Sequence, residues 1–244
     1  MEHASSLAVI FGVAILSGAT AAVAGFGIGS LLTPVLALQL GTGTAVAAVA
    51  IPHAVATALR AWRLRADINW AVLRRFGLLS AGGGLAGGLL YSQLGNRALT
   101  AVLGILLVAT AFAGLTGWAT RWHPRGATVA ALGILSGFFG GVAGNQGGLR
   151  AAALLAFGLS PAAYVATSTM TALLVDAART PVYVWRTGPA LLSAGQLIGA
   201  ATIGVVIGTF LGERVLLGLS VDRFRRLVSL LIGLLGAGLL VQAA

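Results

Sequence analysis

The chain has 244 residues, 58% of them apolar and only 8% charged, with a formal net charge of +10. Its mean hydropathy is +0.99. Soluble domains carry about a quarter charged residues, so a water-soluble fold is excluded. The apolar runs approach the ~20 residues that a helix needs to cross a bilayer. All fifteen basic residues are Arg, and they sit between the apolar runs as topology signals do. That placement argues for a lipid bilayer around the chain and against nucleic acid as a partner. There is no Cys, and His3, His53 and His123 are scattered. Disulfides, thiol chemistry and a metal motif are therefore not expected, nor is a cofactor.

In chain order, Ser6 to Gly25 predicts a first helix with the small residues Gly18, Ala19, Ala21 and Ala22 on its surface. It follows Glu2 and His3 with no basic n-region, and reads as mature structure rather than a signal peptide. The run Gly25-Phe26-Gly27-Ile28-Gly29 breaks that helix, because each glycine costs a helix about 1 kcal/mol relative to alanine. Ser30 to Leu40, with Pro34, is a short second piece. Ala45 to Arg60 is the next helix and contains Pro52 and His53. Arg60, Arg63, Arg65, Arg74 and Arg75 mark the most basic loop. Phe76 to Tyr91 and Ala98 to Trp118 are two further helices, and Arg121 to Arg125 is the linker.

The pattern then returns. Ile15-Leu-Ser-Gly and Val23-Ala-Gly25 reappear 119 residues later, as Ile134-Leu-Ser-Gly and Val142-Ala-Gly144. Gly29 lands on Gly148 and Arg60 on Arg179. The second break is Gly144-Asn145-Gln146-Gly147-Gly148, followed by Arg150. Leu149 to Phe157 is its short piece. Ala162 to Val175 is a helix with Thr167-Ser168-Thr169, after which Asp176, Arg179 and Pro181 read as its end. Pro189 to Leu211 and Leu227 to Val241 complete the chain.

These segments predict an all-α polytopic membrane fold of two repeats, 1–125 and 126–244, together forming one integral membrane domain. Each repeat has about four helical segments, the first broken at glycines. If every segment crosses, nine arginines face one side and six the other. If each broken segment instead folds back as a re-entrant hairpin, the repeats are inverted, with eleven arginines against three. Arg150 then sits at a hairpin tip. The positive-inside rule favours the second arrangement.

Bare backbone at membrane depth must face protein or a wet cavity. The second piece of each broken helix starts with free N–H groups and partial positive charge, a ready anion site. This reading makes Gly25, Phe26, Gly27, Gly29, Ser30, Asn145, Gln146, Gly147 and Gly148 substrate-binding; the plainer alternative is that the glycines only pack helices. Arg60, Arg150 and Arg179 are intramembrane cations and join the set by default. Leu31 at the position matching Arg150 shows that the scaffold does not require a charge there. The polar patch Thr167-Ser168-Thr169 is a candidate to line the cavity, with Thr167 and Ser168 placed in the substrate-binding set, against the alternative that these hydroxyls bond their own helix. Asp176 either pairs with Arg179 three residues on or exchanges protons, since burial disfavours its charged form. His53 is the other proton-coupling candidate.

The two breaks, GFGIGSLLTP and GNQGG, resemble the sulfite exporter TauE/SafE family. So do Ala166-Thr167-Ser168 after the second break and the doubled layout, over nearly the whole chain. The resemblance implies a secondary transporter in a bacterial plasma (inner) membrane, exporting a small sulfur-containing anion such as sulfite or an organosulfonate. Ala153 stands where Pro34 leads one to expect proline, and Asn145, Gln146 and Arg150 replace part of the glycine run. These departures bear on the substrate more than on the fold. A passive anion channel is the nearest alternative and a non-transporting scaffold a further one. HExxH, GxSxG and paired aspartates are all missing, so no catalytic residues and no enzyme are expected. Pairing into a homodimer is left open.

Overall fold

The computed structural model describes residues 2–25, 27–117, 124–215 and 221–244. Its regular structure there is entirely helical. The first half contains α1 (Glu2–Ala24), α2 (Ile28–Leu40), α3 (Thr42–Arg63), α4 (Leu78–Tyr91) and α5 (Asn96–Thr116). The second contains α6 (Ala127–Ala143), α7 (Gly147–Leu155), α8 (Pro161–Ser193), α9 (Gly195–Val215) and α10 (Val221–Ala243). A 3-10 turn (Arg65–Asp67), one helical turn (Trp70–Val72) and a π turn (Leu73–Gly77) lead into α4. Five of these helices, α1, α3, α5, α9 and α10, are long and apolar enough to cross a membrane.

The breaks fall where the glycines are. Gly25 and Gly144 adopt left-handed backbone, with φ of 75° and 72°. That conformation is the usual helix C-terminal stop and penalises any side chain with a Cβ. Each glycine N–H bonds back into the preceding turn, Gly25 to the Ala21 carbonyl and Gly144 to the Gly140 carbonyl, both at 3.0 Å. The helix boundaries keep the sequence spacing: α1 and α6 end 119 residues apart, α2 and α7 begin 119 apart, and so do α3 and α8.

One boundary differs from expectation. The helix expected to stop at Val175 continues as α8 through Asp176, Arg179 and Pro181, and departs from helical geometry only at Thr187 (φ −124°, ψ 15°). The polar pair does not end the helix, because Asp176 and Arg179 bond each other inside the protein. The kink at Thr187 instead precedes Gly188 and Pro189, a stronger breaker pair.

Packing is dominated by three pairs of helices. Gly204, Gly208 and Gly212 of α9 meet Ala14, Ile15 and Ala19 of α1 in the same order, so these helices run parallel. Gly83 and Gly87 of α4 likewise meet Ile134 and Phe138 of α6 in parallel. In α5 and α10 the order is reversed: Gly104 faces Leu240, while Gly114 faces Ser229. Between lipid-embedded helices, association rests on close packing rather than on water exclusion. Here the backbones themselves touch. A Cβ on Gly137 would lie 1.8 Å from the Ser80 carbonyl oxygen, and one on Gly18 would lie 2.2 Å from that of Val205.

Gly137→Val is therefore expected to force α4 and α6 apart and destabilise the fold by at least the ~1–3 kcal/mol typical of overpacking. Gly82→Ala, where nothing lies within 4 Å, is expected to be neutral or slightly stabilising. Thermal melting of the detergent-solubilised protein reads both; equal melting of the two variants would refute the seam.

Candidate functional site

The two breaks meet at the centre of the protein. A Cβ on Gly29 would lie 2.2 Å from the carbonyl oxygen of Gly144, so the start of α2 lies directly against the end of α6. Between them is a cavity lined by Gly25, Gly27, Gly29 and Ser30 from the first break and by Gly144, Asn145, Gln146, Gly147 and Arg150 from the second. His53, Thr57 and Arg60 of α3 and Thr169 of α8 complete the wall. The cavity is small, about 30 Å³ for the centre of a water-sized sphere. One water needs roughly 10–15 Å³ on that scale, so it has room for about two.

Its chemistry is that of a donor-rich pocket. The first turns of α2 and α7 both open onto it, and a helix start offers unpaired N–H groups and partial positive charge. Buried side chains add to them. Arg150, Asn145 and Gln146 are only 4–5% exposed, and Arg150 Nη1, Asn145 Nδ2 and Gln146 Nε2 have no partner among the described residues. Unsatisfied buried donors cost about 1–3 kcal/mol each, more when charged, and this cluster faces a polar void.

The remaining atoms of Arg150 are fixed. Nε donates to Ser168 Oγ at 3.0 Å, and Nη2 reaches the Gly25 carbonyl at 3.4 Å. Ser168 thus aims Arg150 at the cavity. Ser30 Oγ stands 3.4 Å from Asn145 Oδ1 and links the breaks side chain to side chain. Ser136 of α6 donates to the Gln146 carbonyl at 3.1 Å and holds the second break in place.

Arg60 and Arg179 do matching work at the other helix ends. Arg60 Nη1 donates to the Ala21 carbonyl at 2.9 Å. Arg179 Nη1 donates to the Gly140 carbonyl, and Tyr183 OH to that of Gly141. Ala21 and Gly140 are themselves 119 residues apart, each in the last turn of a broken helix. A guanidinium at that place is a second donor to a carbonyl that the glycine N–H already reaches, and it complements the negative end of the helix dipole. Arg60 also lines the cavity, whereas Arg179 lies behind it.

Behind the cavity wall, Asp176 accepts from Arg179 Nε (3.1 Å) and Nη2 (2.8 Å) through one oxygen. Its other oxygen lies 2.6 Å from His53 Nδ1. Asp176 is fully buried, and the His53 side chain is 13% exposed. The aspartate is therefore tied to a fixed cation on one side and, on the other, to a titratable ring that reaches the cavity.

Most residues expected from the sequence are brought together. Five are placed differently: Ser168 holds Arg150 instead of lining the cavity. Gly148 abuts Thr110 of α5, with 3.3 Å from its Cβ position to Oγ1. Thr167 Oγ1 accepts from the Asn69 N–H at 2.9 Å, joining α8 to the turn after α3. Asp176 and Arg179 stand one layer behind the wall. Phe26 lies outside the described residues. Of the polar patch on α8, Thr169 lines the wall; sequence reasoning missed Thr57. Thr57 was findable: it is four residues after His53 and three before Arg60, the spacing of a shared helix face.

Asp176→Ala would leave Arg179 buried without its carboxylate, a loss of about 3–5 kcal/mol for comparable sites. The expected outcome is a large fall in melting temperature. His53→Gln, at the more exposed end of the same chain, is expected to lower it much less.

No curated protein and no solved structure matches the chain. The family model described as sulfite exporter TauE/SafE matches residues 10–239, nearly the whole length. That match and the set of apolar helices make this a multi-pass membrane protein. The chain belongs to the sulfite exporter TauE/SafE family, whose members are membrane transporters and not enzymes.

Proposed function

We propose that the protein is a secondary transporter that moves a small sulfur oxyanion, sulfite being the best fit, across a bacterial plasma membrane by alternating access. The observation that carries this reading is the cavity where two helix starts and three unpartnered buried donors, from Arg150, Asn145 and Gln146, converge. With room for about two waters the cavity favours the most compact ions, and sulfite, with four heavy atoms, requires it to open slightly. An organosulfonate with a longer tail would need the cavity to widen further. The family's description names sulfite, in keeping with the smaller ion.

Alternating access rests on inverted halves. Support comes from the helix directions: α5 and α10 are equivalent by their order in the two halves, each the last helix of its half, yet they pack antiparallel. An axis along the membrane normal would make such a pair parallel, whereas an axis in the membrane plane makes it antiparallel. The 119-residue spacing exchanges the two parallel pairs, α1 with α9 and α4 with α6. Residues of α1 (Ile10, Ala14, Ala21) share one apolar cluster with residues of α2 (Ile28, Leu32, Leu36), as a re-entrant hairpin requires.

Coupling is assigned to protons through His53, with Asp176 positioning it. Asp176 fixes Nδ1, which leaves the other ring nitrogen to gain or lose a proton at the cavity. An anion beside the ring favours the protonated form, and by linkage the protonated ring favours the anion.

The test is sulfite transport in proteoliposomes under an imposed pH gradient. Accumulation above equilibrium that collapses with an uncoupler is expected; flux that only follows the sulfite gradient would establish a channel instead. Arg150→Ala is expected to abolish both transport and sulfite-dependent thermal stabilisation. Retained stabilisation would remove Arg150 from the binding site. His53→Gln is expected to keep the stabilisation and lose its dependence on pH.

A further inference from the structure

Away from the central cavity, a groove of about 760 Å³ opens at one end of the α4–α6 pair. This lies within the range of roughly 300–1,000 Å³ common to sites for small organic molecules. Its rim carries Arg74, Arg75 and Arg125, all exposed, and no acidic residue is among the described residues that line it. Its floor is Phe76, which is buried, and its outer wall is Leu78 and Leu79, exposed at 60% and 37%.

Local geometry produces this arrangement. Arg74 and Arg75 lie in the π turn Leu73–Gly77. A π turn rotates the chain less per residue than an α-helix, so both neighbouring side chains reach the same groove. Across from them, Arg125 precedes Gly126, whose φ of 57° turns the chain into α6. Arg74 Nε donates to the Trp70 carbonyl at 3.3 Å. Trp70 is itself 55% exposed, as tryptophans are at the level of lipid headgroups.

We infer that this groove binds an anionic phospholipid, with its phosphate held by Arg75 and Arg125 and its acyl chains on Leu78 and Leu79. Charge complementarity selects this occupant. Three guanidiniums without a counter-charge attract phosphate, and basic pockets between membrane helices are established headgroup sites. A zwitterionic headgroup would bring its own cation against the arginines. A soluble anion would satisfy the rim and leave the leucine wall to no purpose. The inference depends on the chain being in a membrane and not on what it transports.

The test uses the full-length protein in mild detergent, with thermal melting and native mass spectrometry. Four additions are compared: phosphatidylglycerol, cardiolipin, phosphatidylcholine and inorganic phosphate. The two anionic lipids are expected to raise the melting temperature by several degrees and to stay bound in the gas phase, unlike phosphatidylcholine and phosphate. The double variant Arg75→Gln/Arg125→Gln should lose both effects, measured against its own lipid-free melting, while keeping the sulfite-dependent shift. An equal shift with phosphatidylcholine, a full shift with phosphate alone, or undiminished retention of anionic lipid by the double variant would each overturn the site.

Discussion

A helix that stops inside a bilayer leaves carbonyl groups without partners, and no water is at hand to take them. Two broken helices end inside this protein, and beside the N–H of the left-handed glycine an arginine donates to the last turn of each. Arg60 bonds the last turn of α1 and Arg179 the last turn of α6. With the left-handed glycines at 25 and 144, these bonds close the ends of the broken helices. Their other ends, the starts of α2 and α7, stay open toward the cavity. Because the carbonyl ends are satisfied internally and the amide ends are not, the centre of the protein is suited to an anion.

The two halves share a scaffold but not a chemistry. By the 119-residue spacing, Gly27 corresponds to Gln146, Leu31 to Arg150 and His53 to Ala172. Each pair has one inert member and one that can bond or titrate. Glycines, helix boundaries and the capping arginines keep the 119-residue spacing, whereas the groups that would touch an ion do not. Thr57 and Asp176 are also equivalent, and the carboxylate appears only in the second half. What recurs at this spacing is framework; what differs is the chemistry of the cavity.

The sequence was legible wherever backbone chemistry dictates structure. Gly25 and Gly144 identified the breaks because left-handed backbone favours glycine, and the repeat placed the two breaks in register. The lining of the central cavity was largely legible for the same reason. The reach of α8 was not. Asp176, Arg179 and Pro181 look like the end of a helix when their neighbours in space are unknown, but the Gly140 carbonyl and His53 bond the charged pair inside the protein. Thr167 was misread in kind: a hydroxyl on a polar patch points to a cavity only if no other donor claims it, and the Asn69 N–H does. Arg179 was picked as an oxyanion ligand by its charge, while its position makes it a partner for carbonyl and carboxylate.

The parallel glycine seams have a consequence for biogenesis. The most extensive seam of α1 is made not with its own half but with α9, which leaves the ribosome roughly 190 residues later, an interval of about 10–40 s at 5–20 residues per second. Until then α1 has its glycine face turned to lipid. The seam between α4 and α6 closes much sooner, with only the linker and α5 intervening. The α4–α6 seam is therefore available early in synthesis, whereas α1 waits for α9 to complete its own.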